Sequence, residues 1–227
     1  QGGLGLESAR WLVGEGARHL VLSTRHAPDG TATKAIDQLR QGGVDVRVVA
    51  VDAADRQAMR AVLDDIQRGA APLRGVIHAA GTLHDGVLLH QRWSDAATVL
   101  RGKAHGAWVL HELTQALPLD FFVLYSAAGL LLGASGQGLY PAANAQLDAL
   151  AQARRRMGLK ALSVAWGAWA GVGMAARQAS GGHDTWAARG LGKIEPAEGL
   201  ALLARLLRED LAHAAVLPID WARVLAQ

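Results

Sequence analysis

Tyr140 and Asn144 stand four residues apart in "GLYPAAN", so a helix there presents both side chains to one cleft. A phenol held beside an ammonium has a lowered pKa and becomes a proton donor suited to carbonyl reduction. Lys103 opens the apolar helical pattern that precedes the strand before Tyr140, and it is the candidate ammonium, able also to hold a sugar hydroxyl. Taken singly, each residue has a plainer reading. A buried tyrosine beside an asparagine is commonly structural, and a lone lysine is commonly a surface charge.

A second group suits a dinucleotide. In "QGGLGLESARWL", Gly2, Gly3 and Gly5, with Leu4 between them, fall where a helix N-terminus offers backbone N–H groups to a pyrophosphate and the missing side chains permit close approach. Glycine turns before helices are common, so this segment alone says little. About twenty residues on, "STRHA" places Arg25 at a strand end where a ribose 2′-phosphate would sit, with no acidic residue to receive a 2′-hydroxyl. That favours NADP over NAD, although Arg25 also reads as a solvated strand-end charge. Asp52 ends the next strand, and "HAAG" ends the one after with Ala79, Ala80 and Gly81, small enough for a cofactor ring to lie against the backbone or for a helix to pack. Three successive strands ending in plausible nucleotide contacts reinforce one another.

These residues need a scaffold that gathers strand ends along one edge. Short runs rich in β-branched residues at about 18–24, 45–52, 75–81, 120–126, 161–167 and 215–219 alternate with helical patterns in "ESARWLVGEG", "TATKAIDQLRQGG", "RQAMRAVLDDIQRG" and "KAHGAWVLHELTQAL". "GVIHAAG" and "FFVLYSAA" are apolar without alternation, which predicts strands covered on both faces. The expected fold is α/β, a doubly wound parallel sheet. Residues 174–192 are glycine-rich and weakly periodic, and read as a lid. The chain's 227 residues, 51% of them hydrophobic and 19% charged, suffice for one sizeable α/β core. The absence of cysteine excludes disulfides, thiolate metal sites and cysteine nucleophiles. No run reads as a membrane span or signal peptide, so the cytoplasm is the default. The net charge of +3 is thinly spread, and the "RRR" run at 154–156 reads as a solvated helix end or an acidic partner's docking patch rather than a nucleic-acid surface. The glycine turn at the start lacks the strand that should precede it, which predicts that the sequence is a fragment of a longer polypeptide.

Together "GGLGLESARWLV", "RGVIHAAG", "LDFFVLYSAAG", "GQGLYPAANAQLDALA", "VAWGAWAGVGMAA" and "RGLGKIEPAEGLALLARLL" resemble the catalytic half of a ketoreductase domain from a modular type I polyketide synthase, in the short-chain dehydrogenase/reductase superfamily. The resemblance spans nearly the whole chain. It implies a Rossmann-like fold, NADPH, reduction of a β-ketoacyl group borne on the phosphopantetheine arm of an acyl carrier protein, and an upstream structural subdomain outside this sequence. By position it makes Tyr140 the proton donor, Lys103 the active-site lysine and Asn144 the asparagine of the proton relay. The family's serine, thirteen residues before the tyrosine, falls on Ala127. Adjacent Ser126 should point to the opposite face of its strand, unless a bulge or a one-residue shift brings it round. The resemblance places substrate contact and stereocontrol at Leu83, His84, Asp85, Gln137 and Met174. Asp85 is retained from the family's Leu-Asp-Asp stretch, and Leu132 stands where the other stereochemical class has tryptophan, so the lean is to a D-alcohol. Ser135, Leu139 and Ala165 also depart from the family pattern. The expected activity is a reductase slowed by Ala127; the alternative is a reductively silent domain with an epimerase, structural or carrier-docking role.

Overall fold

The computed structural model describes residues 3–82, 86–129, 138–173, 187 and 190–226. Gly2, Leu83, His84, Asp85, Leu132, Ser135, Gln137 and Met174 lie outside them, as does most of the expected lid.

The chain alternates strands and helices as the apolar pattern requires. After helix α1 (Gly3–Gly14) come β1 (His19–Thr24), α2 (Gly30–Gln41), β2 (Asp45–Ala50), α3 (Arg56–Arg68) and β3 (Gly75–His78). Then follow α4 (Trp93–Leu100), a π-helical turn (Arg101–His105), α5 (Gly106–Thr114), β4 (Phe121–Ala127), α6 (Leu139–Arg156), β5 (Leu162–Trp166), α7 (Pro196–Leu206), β6 (His213–Val216) and α8 (Trp221–Leu225). Helix starts follow side-chain chemistry. Asp29 and Asp55 accept from the backbone N–H groups of Ala32 and Ala58 at the openings of α2 and α3, and Pro196 sits where a missing N–H costs nothing.

The four pairings between these named strands are parallel. They form two sheets, β1-β2 and β3-β4-β5-β6, so β1 and β3 each keep one flank unpaired by a named strand among the described residues. β4 is buried on both faces, as its unbroken apolar run predicts; β3, for which the same was expected, is only half-buried up to His78, and β5 is buried throughout. On one face Val123, Tyr125, Val164 and Trp166 pack with Trp169, Ile194 and the α7 residues Leu200 and Leu203. On the other, Phe122 and Leu124 meet Leu147 and Leu150 of α6 and Ala107 of α5. Alternation along β4 therefore sorts its side chains between two layers.

Several expectations need correction. β2 stops at Ala50, where Asp52 accepts from the Ala54 N–H and turns the chain, and β3 stops at His78, the last residue paired with β4, short of Gly81. β6 begins two residues earlier than its apolar run. Lys103 does not open a helix: α4 starts ten residues before it, with the Asp95 carboxylate accepting from the Arg92 N–H, and the chain passes through the π turn into α5. At the end of the expected lid, Gly192 donates to the Pro218 carbonyl at 3.0 Å and the Gly190 carbonyl accepts from Asp220 at 2.7 Å, so residues 190–192 are docked. Arg154 is not a solvated helix end. It is 1% exposed, stacks 3.9 Å from the Phe122 ring and donates to the Lys160 carbonyl.

Candidate active site

The carboxyl ends of the parallel strands and the first turn of α6 frame one site. Lys103 enters it from the π turn and is only 3% exposed. Its Nζ donates to the Tyr125 carbonyl at 2.9 Å and lies 5.0 Å from the centre of the Tyr140 ring. Burial pulls its pKa down to about 8, against the opposing attraction of Asp148. Tyr140, in the first turn of α6, is half-buried. One turn on, Asn144 is fully buried; its Nδ2 donates to the Tyr140 carbonyl at 2.9 Å, while its Oδ1 has no protein partner among the described residues. The structure thus brings Lys103, Tyr140 and Asn144 together.

β4 decides the fourth position. Ala127 is its last residue, half-buried and paired with Trp166. Ser126 points into the layer beneath α6, is 4% exposed, and donates to the Asn144 carbonyl over a long 3.5 Å. No bulge breaks the register through residues 123–127, so the strand keeps Ser126 and Ala127 on opposite faces.

The nucleotide candidates line the same edge. α1 opens at Gly3, where an added Cβ would come 3.3 Å from both the Gly173 nitrogen and Val172 Cβ; Gly5 has open space beside it. Leu4 packs on the core face that holds Trp166 and Trp169. Arg25 follows β1, exposed, and donates to Thr82 Oγ1 at 3.1 Å. Asp52 follows β2 and is already engaged: its carboxylate accepts from the Ala54 N–H at 3.0 Å and from Arg101 Nε at 2.9 Å. Partial burial pushes its pKa up, but the Ala54 bond and the Arg101 and Arg25 charges outweigh that and leave it lowered. Ala79, Ala80 and Gly81 follow β3 as small residues, Ala79 and Gly81 half-buried and Ala80 exposed. An open glycine face at a helix start, an exposed guanidinium and small strand-end residues on one edge fit a phosphate-bearing dinucleotide.

Sequence reasoning missed several participants. Tyr125 supplies the carbonyl that holds Lys103, and its phenol meets Ser8 Oγ at 2.8 Å. Because the Ser8 hydroxyl donates to the Leu4 carbonyl at 2.7 Å, it accepts from Tyr125. Burial pushes the Tyr125 pKa up to about 12. One strand residue therefore ties the glycine-led helix to the lysine. Arg101 claims Asp52, and His78 contacts the Lys103 carbonyl. No local pattern marks contacts this distant in sequence; only His78 stood in a motif already noted, "HAAG".

A parallel α/β sheet carrying tyrosine, lysine and asparagine at its carboxyl edge defines a Rossmann-like protein of the short-chain dehydrogenase/reductase kind. The sequence model of the KR domain family matches residues 1–171, and the chain belongs to that ketoreductase family. It is 42% identical over 224 residues to the pikromycin polyketide synthase component PikAIII of Streptomyces venezuelae, covering 98% of this chain and 14% of that protein. It is similar to a solved structure of A-type ketoreductases from a modular polyketide synthase, with 42% identity and a TM-score of 0.92 over 98% of this chain and 47% of that one. It is also similar to a C2-type ketoreductase from a modular polyketide synthase, with 30% identity and a TM-score of 0.86 over 98% and 47%. The chain therefore spans about half the length of these solved ketoreductases and a small part of the synthase it matches. Among the described residues, no helix is long and apolar enough to cross a membrane.

Proposed function

We propose that this domain reduces a β-ketoacyl thioester carried by an acyl carrier protein to the β-hydroxyacyl product, with NADPH as reductant. The observation that carries this is the Lys103 ammonium, buried and 5.0 Å from the Tyr140 ring centre at the sheet edge. NADPH, when bound, supplies the hydride. The glycine start of α1 would face its pyrophosphate, Arg25 its 2′-phosphate, and residues 79–81 its nicotinamide end. Tyr140 donates a proton to the carbonyl oxygen as negative charge grows there, and the nearby cation makes the phenol a stronger acid. Asn144 fixes the Tyr140 backbone through Nδ2 and offers the unpartnered Oδ1 to a water of the relay.

Ala127 leaves that growing charge without the hydroxyl the family uses. One missing donor costs about 10²–10³ in rate, far less than the proton donor itself, so the reading is a slowed reductase. On this reading Ser126 does not stand in for it, because its hydroxyl is directed to the Asn144 carbonyl and it lies on the strand face opposite Ala127. The lean to a D-alcohol rests on Asp85 and Leu132; the A-type and C2-type labels are those of the similar structures, and chiral analysis of the product decides. The test is NADPH oxidation with a diketide thioester, comparing wild type with Tyr140→Phe. Turnover abolished in the variant is expected, and retained reduction removes Tyr140 from the mechanism. A second reading, a reductively silent domain that epimerises or only docks the carrier, is favoured by Ala127 alone; it predicts no NADPH oxidation by wild type.

A further inference from the structure

Lys103 works from an unusual platform. A π turn widens the helix by one residue, so its carbonyls leave the regular ladder. Here the Gly106 N–H is shared between the Arg101 and Lys103 carbonyls. The Lys103 carbonyl meets a further donor from another element. His78, the last residue of β3 and 3% exposed, sets Nε2 at 2.9 Å from the Lys103 carbonyl, with the Gly102 carbonyl beside it. A carbonyl only accepts, so Nε2 carries the proton.

We propose that His78 is a positioning residue that fixes the π turn by donating Nε2–H to the Lys103 carbonyl, and so holds the lysine ammonium under Tyr140. The proposal rests on the reading of Lys103 and Tyr140 as the proton-donating pair. Two features support it besides the bond. Burial lowers the His78 pKa to about 4, with the Lys103 charge acting the same way, so the ring stays neutral with a single N–H to direct. Gly106 lets the helix sit on the ring: a Cβ there would lie 3.3 Å from His78 Cε1 and 3.0 Å from Ala53 Cβ. The start of α5 therefore packs directly against the ring. The charged and titratable groups facing Lys103 are His78 from β3, Tyr140 and Asp148 from α6, and Tyr125 from β4, whose carbonyl takes the other end of the lysine.

His78→Met and His78→Gln have similar bulk, but only glutamine keeps an N–H near the Nε2 position. Lys34, Lys103, Lys160 and Lys193 are the chain's lysines, so Cε-labelled protein gives few resonances to assign. In wild type the Lys103 signal should titrate near the lowered value of about 8. With methionine its midpoint moves at least about one unit toward an ordinary lysine, and kcat falls about 10²-fold with the KM for NADPH unchanged, as expected for a group displaced by an ångström. With glutamine both values return toward wild type. Gly106→Ala presses on the ring without removing it and shifts the Lys103 midpoint in the same direction, which keeps the test alive if His78→Met does not fold. Equal behaviour of the methionine and glutamine variants, or an unmoved Lys103 titration in His78→Met or Gly106→Ala, overturns the proposal. A wild-type chain that oxidises no NADPH defeats the functional reading instead, and the titration arm still decides the role of His78.

Discussion

Lys103→Met should abolish reduction and stabilise the fold. The side chain is 3% exposed, and burial lowers its pKa from 10.5 to about 8. At about 1.4 kcal/mol per pK unit, the buried ammonium costs the folded state about 3 kcal/mol at neutral pH. Methionine fills much of the volume but strands the Tyr125 carbonyl, at about 1 kcal/mol. The net gain is about 2 kcal/mol, or about 5 °C in Tm for a chain of this size. The pH dependence gives the sharper signature. Below pH 8 both folded and unfolded chains hold the proton, and the full cost applies. Between 8 and 10.5 only the unfolded chain binds it, so wild-type stability climbs with pH. The advantage of Lys103→Met should therefore shrink to near zero at about pH 9.5, where the ammonium costs only about 1 kcal/mol. The Tyr125 phenol, raised from 10.0 to about 12, works in the opposite sense above pH 10, so comparison stops below that value. Urea unfolding of both proteins from about pH 7 to 9.5 measures this. A variant less stable than wild type at pH 7, or a difference flat across the range, refutes the buried-cation argument.

Ala127→Ser adds a hydroxyl at the end of β4 on the face opposite Ser126, and kcat/KM should rise by about 10²-fold if that donor is what is missing. Steady-state NADPH oxidation checks this; an unchanged rate points to a defect elsewhere in the pocket. Arg25→Ala should weaken NADPH binding at least about tenfold and leave NADH nearly untouched, since a charge-assisted phosphate contact contributes about 1.5–3 kcal/mol. Its present bond to Thr82 holds the guanidinium beside the segment that follows β3. Fluorescence titration with both cofactors measures the ratio, and equal losses for the two assign Arg25 to the scaffold.

The strands were legible from their β-branched, apolar runs; the expected cover on both faces holds for β4, while β3 is only half-buried before His78. The opposed directions of Ser126 and Ala127 followed from strand alternation alone. Tyr140 and Asn144 were legible because helical spacing survives into the structure. The π turn was not, since "RGKAH" carries no signal for one extra residue per turn, and Lys103 was read as a helix start for that reason. α4 was missed because Trp93 at its opening is 79% exposed and breaks the apolar periodicity. The Ser8–Tyr125 bond joins residues 117 positions apart, and Arg101 takes Asp52 across 49, distances at which only the folded topology brings groups together.

The central claim is that Tyr140, acidified by Lys103, completes a hydride reduction at a β-carbonyl. The direct measurement is a single turnover with NADPH deuterated at its hydride-donating carbon and a β-ketoacyl thioester, with the product read by mass spectrometry and chiral chromatography. Wild type should yield one β-hydroxy enantiomer carrying deuterium on the β-carbon, and Tyr140→Phe none. Product without deuterium, or equal deuterium transfer by Tyr140→Phe, contradicts it.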